Sequence, residues 1–133
     1  MIAYERKTLA NGLTVAVNRD RASKLAAVNL LYKVGARNEN PARTGFAHLF
    51  EHLMFRGTRD VPNFDLQVQM ASGDNNAFTN NDYTDFYITL PKDNIETALW
   101  LESDRMEGLD ITTGKLETEK RVVIEEFRQR YLN

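Results

Sequence analysis

The chain contains only two histidines, and they stand four residues apart with a glutamate between them, in His48-Leu49-Phe50-Glu51-His52. Each helical residue turns the chain by about 100°, so His48, Glu51 and His52 fall within one arc. Two imidazoles one turn apart can share a zinc ion at Zn–N distances of about 2.0–2.1 Å. A carboxylate beside them can take a proton from the water that such an ion activates. Glu51 is therefore expected as a general base rather than a ligand. Five residues make a short pattern, and a half-exposed helix face with two ordinary histidines is the competing reading.

A zinc site of this kind needs a third protein ligand and a position left open for water. Cysteine is absent, so that ligand has to be a carboxylate. The last stretch, from Thr113 to the C-terminus, reads as a helix with an apolar stripe of Leu116, Val123, Phe127 and Tyr131, and Val122 at one margin. On the helical wheel Glu119 and Glu126 fall between Val122 and Val123, whereas Glu125 points to solvent. Carboxylates inside an apolar margin are costly unless paired or bound to a cation. We expect Glu126 as third ligand and Glu119 as an outer partner that orients a ligand. A solvated acidic helix edge is the plainer alternative.

These side chains need elements to hold them. Tyr4–Leu9 and Leu13–Asn18 flank Asn11-Gly12, which predicts a hairpin with a type I′ turn. Leu25–Val34 reads as a buried strand ending before Gly35. Thr44 is placed to cap a helix whose stripe is Phe46, Leu49, Phe50, Leu53 and Met54, opposite the histidines. Val61-Pro62-Asn63 opens a second helix reaching about Ala71. Asn75–Leu90 suggests two strands joined by a polar turn near Asn80-Asn81-Asp82. Asp93 and Glu96 resemble a capping box for a helix ending at Gly108. This order predicts an α+β fold, a mainly antiparallel sheet with helices packed on one face, in a single domain over 1–133.

Composition narrows the function. The 133 residues carry 17 basic and 19 acidic side chains, a net charge of −2, so there is no basic excess to bind nucleic acid. The longest apolar stretch, Leu25–Tyr32, is broken by Asn29 and too short to span a membrane. The first residues lack an apolar leader, so a cytoplasmic protein is expected, or a periplasmic or organellar one had a leader been removed.

His-x-x-Glu-His is the inverted zinc motif, and the chain resembles the M16 peptidases, the group of pitrilysin, insulysin and mitochondrial processing peptidase. Matching pieces run along nearly the whole chain. They are Asn11-Gly12-Leu13, Gly35-Ala36-Arg37-Asn38-Glu39, Gly45-Phe46-Ala47-His48, Phe55-Arg56-Gly57-Thr58, Asn76-Ala77-Phe78-Thr79, Asp82-Tyr83-Thr84 and Leu101-Glu102-Ser103-Asp104-Arg105-Met106. Glu119 and Glu126 match the family's two glutamates seven residues apart, the second of which is the zinc ligand. The resemblance implies a zinc endopeptidase with one Zn2+ per chain, acting on peptides or unfolded polypeptide. It also implies that Asn76, Ala77, Phe78 and Thr79 form an edge strand that binds substrate backbone. Family enzymes have two related halves, each longer than this chain, so a second half or partner subunit is expected, and homo-association is possible through the surface it would cover. A non-catalytic scaffold subunit, or a metal-binding module without hydrolytic activity, is the alternative.

Overall fold

A computed structural model describes residues 2–132. Two strands, β1 (Glu5–Thr8) and β2 (Thr14–Val17), form a hairpin apart from the main sheet. The main sheet has three antiparallel strands in the order β3 (Leu25–Tyr32), β5 (Thr84–Pro91), β4 (Asp74–Thr79). Four helices accompany it: α1 (Phe46–Met54), α2 (Phe64–Met70), α3 (Ile95–Glu107) and α4 (Thr113–Tyr131). None of them is long and apolar enough to cross a membrane.

The sheet alternates as its period of two requires. Ala26 and Val28 of β3 and Phe86, Ile88 and Leu90 of β5 face the helices. Leu25, Leu31, Phe78 and Tyr87 lie exposed on the opposite face. α2 contributes Phe64 and Val68 to the core, and α3 contributes Ala98 and Leu101. On α3 the buried positions continue with Glu102 and Arg105, a helical spacing that carries an ion pair into the core. The guanidinium lies 4.2 Å from the Phe86 ring centroid and 4.4 Å from that of Phe64, so cation–π contact offsets part of its desolvation. Burial pushes the nearby Tyr32 hydroxyl above its usual pKa; Arg105 opposes that shift and Glu102 adds to it.

Three local expectations about turns and caps give way. The β1–β2 hairpin is not a type I′ turn. Gly12 alone takes positive φ (88°), and Gly12 N–H and Leu9 N–H bond to Leu9 O and Leu13 O, a three-residue loop with a left-handed glycine. Thr44 does not cap α1. The cap residue is Gly45 at φ 93°, and Gly45 N–H and Ala47 N–H donate to the two oxygens of Glu39 at 2.7 and 2.6 Å. Asp93 and Glu96 make no capping box. A 3-10 turn leads into α3, and Asn94 instead ties it to α2 by donating to Ala71 O at 3.0 Å.

The stripe of α1 is also only partly covered. Ala47 and Leu53 are buried, but Phe46 and Phe50 remain 48% and 50% exposed. The helix meets the sheet at the end of β4 and the start of β5. The rest of its apolar side overhangs a cavity of about 530 Å³ lined by Tyr32, Val34, Met54 and Phe86. On α4, likewise, Leu116 and Val123 are half-buried while Val122 and Phe127 are exposed; the Tyr131 side chain lies outside the described residues.

The placement of α1 traces back to the polar turn after β4. Asn80 Oδ1 accepts from Asp82 and Tyr83 N–H, closing that turn. Asn80 O and Asn81 O accept from Ala36 and Arg37 N–H at 3.0 Å each. Gly35 fits there because a Cβ would stand 2.4 Å from Asn80 O. The docked segment delivers Glu39 to α1. Glu39→Ala should therefore cost about 1–2 kcal/mol, whereas Thr44→Ala should stay within about 0.5 kcal/mol, as read from urea unfolding midpoints.

Candidate metal centre

α1 turns His48 and His52 toward α4, with ring centroids 4.8 Å apart and planes nearly perpendicular at 79°. Their Nε2 atoms are 3.2 Å apart. Glu126 Oε2 lies 3.4 Å from His48 Nε2 and 3.5 Å from His52 Nε2. Three donors thus make a nearly equilateral triangle. Tetrahedral bonds of about 2.0–2.1 Å have edges of about 3.3–3.4 Å, so one ion fits this triangle without rearrangement. Two imidazole nitrogens and a carboxylate oxygen are also a donor set suited to zinc. His48 and Glu126 side chains are 40% and 47% exposed, which leaves the triangle open on that side.

Glu119 sits two helical turns before Glu126 and is 2% exposed. Its Oε2 is 3.1 Å from His52 Nδ1, and its Oε1 accepts from Arg56 Nε at 2.6 Å and from a second nitrogen of the same guanidinium. A carboxylate only accepts, so the proton of a neutral His52 belongs on Nδ1. The Nε2 lone pair then faces the triangle. Glu125, the neighbour of Glu126, points outward to Arg128 at 3.5 Å.

Glu51 stands outside the three-donor cluster, on the side of α1 nearer the sheet. Its Oε2 accepts from Thr79 Oγ1 at 2.5 Å, and Thr84, which donates to Val34 O, lies 3.3 Å from Thr79. The carboxylate is thereby fixed against the last residue of β4. Asn76, Ala77, Phe78 and Thr79 all lie on β4, which is an edge of the sheet. Ala77 N–H donates to the Asn76 side chain at 2.8 Å, and the exposed Phe78 ring packs edge-on to Tyr83 at 5.8 Å.

The sequence-predicted residues therefore converge in two groups. His48, His52, Glu126 and Glu119 join α1 to α4, and Glu51 with residues 76–79 joins α1 to β4. Sequence reasoning missed Arg56 and Glu39. Both lie in segments that the resemblance singled out, but their partners are set by the fold.

The family model for insulinase, peptidase family M16, matches residues 14–131. The zinc protease PqqE of Helicobacter pylori is 36% identical over 130 residues, covering 96% of this chain and 29% of that protein. A probable mitochondrial-processing peptidase subunit beta of Arabidopsis thaliana is 29% identical, covering 92% of this chain and 23% of its own length. A crystal structure of a Helicobacter pylori protease superposes with a TM-score of 0.92 at 35% identity, covering 98% of this chain and 32% of that one. Pitrilysin shares the fold, with a TM-score of 0.86 at 24% identity over 96% of this chain and 14% of its own. The chain thus spans under a third of the length of these relatives.

With so much of the α4 stripe exposed, the bonds of Glu119 are its main buried tie to α1. Glu119→Ala should loosen α4 by about 1–3 kcal/mol while leaving the sheet intact. In hydrogen exchange, amides of residues 113–126 should then exchange roughly tenfold faster or more, and those of β5 at the original rate.

Proposed function

Since the chain belongs to the insulinase family of peptidases, M16, we propose that it carries the zinc ligands and general base of an endopeptidase. The observation that supports this reading best is the triangle of His48, His52 and Glu126 donors, whose sides match those of a tetrahedral ion. Zinc bound there would supply Lewis acidity, polarising a scissile carbonyl and making a bound water easier to deprotonate.

The residues divide the remaining work. Glu51 takes the proton of the attacking water and later passes it to the leaving amine. Thr79, donating to Glu51 Oε2, keeps the other carboxylate oxygen free for that exchange. β4 offers its open edge at Asn76–Thr79 to an extended peptide, which places the peptide backbone beside Glu51. Glu119 holds the ring of His52 from behind. A complete set of donors and base is not what a scaffold subunit that had lost its chemistry would need to keep.

Catalysis also requires donors aimed at the charge developing on the carbonyl, and a cover that excludes water. In this reading both come from the remaining length of the protein or from a partner subunit, a reading favoured by the name 'subunit beta' of the mitochondrial-processing relatives. The half-exposed Phe46 and Phe50, and the cavity beside them, suit such a cover.

Zinc analysis of protein kept free of chelator should find about one ion per chain in the wild type and in Glu125→Ala. His52→Ala and Glu126→Ala should lose it. Equal zinc in all four would overturn the ligand assignment, and loss in Glu125→Ala alone would mean that α4 presents a different face. In the full-length protein, Glu51→Gln should keep its zinc and lose peptidase activity by roughly two or more orders of magnitude. Loss of zinc instead would make Glu51 a ligand.

A further inference from the structure

Arg56 is the first side chain past the C-cap of α1, and it reaches across to α4. Its backbone is held on both sides. Arg56 N–H donates to Leu53 O at 3.0 Å, and the next residue, Gly57, turns at φ 83° where a Cβ would stand 2.4 Å from Val61 O. From this fixed root the guanidinium meets Glu119 Oε1 with two nitrogens, Nε at 2.6 Å. The other oxygen, Oε2, is left for His52 Nδ1 at 3.1 Å. Glu119 is 2% exposed, and Arg56 is the only lysine or arginine paired with it among the described residues.

We propose that Arg56 is a positioning residue of the metal centre, one that sets zinc affinity through Glu119 and His52 without touching the ion. This rests on the zinc reading above and extends it by one residue. Arg56 occupies Oε1 and orients the carboxylate plane, which commits Oε2 to the imidazole and keeps Glu119 from swinging into the triangle as a competing ligand. The imidazole is thereby held with Nε2 toward Glu126 and His48. Without the guanidinium, the buried carboxylate keeps one donor and is free to rotate. The His52 ring then has no fixed orientation, and each productive arrangement has to be recovered from many. A lysine would keep the charge but offers a single point donor in place of a planar fork.

The experiment compares zinc affinity, by competition with a chromophoric chelator, in the wild type, R56A, R56K, E119Q and R56A/E119Q. Visible absorption of the cobalt-loaded proteins and melting of the metal-free proteins accompany it. R56A should bind zinc about 10–100-fold more weakly, the range found when groups that orient a ligand are removed. R56K should recover part of the loss. The R56A change should add nothing in the E119Q background, since both act on one carboxylate. The cobalt bands of R56A should shift, which a loss of fold stability alone would not produce. Should metal-free R56A fail to melt cooperatively, R56K carries the comparison, and a loss of severalfold is expected there. Wild-type affinity and unchanged cobalt bands in R56A, or in R56K where it stands in, would overturn the role of Arg56 while leaving the zinc centre standing. So would an equal loss with and without Glu119. A wild type that binds no zinc overturns both.

Discussion

A carboxylate with 2% exposure has to be matched on every side, and Glu119 meets that constraint with one arginine and one histidine, both carried by α1 or the residue pair after it. The match fixes the distance, rotation and register of α4 against α1. Glu126, seven residues further, then lies about 10.5 Å along the same face, at the height where His48 and His52 present their Nε2 atoms. The two glutamates differ in environment rather than type. One is enclosed and has both oxygens in use, whereas the other is about half exposed.

The opposite end of α1 is secured by different chemistry. Its first N–H groups are taken by Glu39, which arrives because the Gly35–Asn38 segment is bonded to the turn between β4 and β5. That same turn sets where β4 ends, and so where Thr79 meets Glu51. One short polar turn therefore fixes both the start of the histidine helix and the contact of its carboxylate. The core beneath, from Val68 and Leu101 to Ile88, supplies the rigid base on which these adjustments rest.

Much of this was legible because it is local. Two histidines at i and i+4 share a helix face whatever surrounds them, and Glu119 and Glu126 share one for the same reason. β3 was expected as a buried strand, yet its residues alternate between half-buried and exposed, because only one face of the sheet carries helices. Periodicity, however, shows which side of a helix is apolar and not how much of it a neighbour covers, so Phe46, Phe50 and Phe127 were expected to be buried and are not. Caps were misread where a distant side chain displaced a nearby one. Thr44 stands beside α1, yet Glu39 supplies the acceptors through a bend that no local rule encodes. Arg56 was invisible for a related reason, its partner lying 63 residues away.

Among the described residues, α4 is tied to α1 chiefly near its start. It runs for 19 residues, about 28 Å, yet Glu119, in the second turn, is the one buried residue among those whose side chains are described. Past that anchor most of the described side chains are exposed, and Glu126 lies two turns further on. Any rotation of α4 about that anchor would move the Glu126 carboxylate against the two imidazoles of α1. Any ion held in the triangle would act as a second support and oppose that rotation. Occupancy would change how firmly α4 is held against α1 more than it would change the shape of either helix.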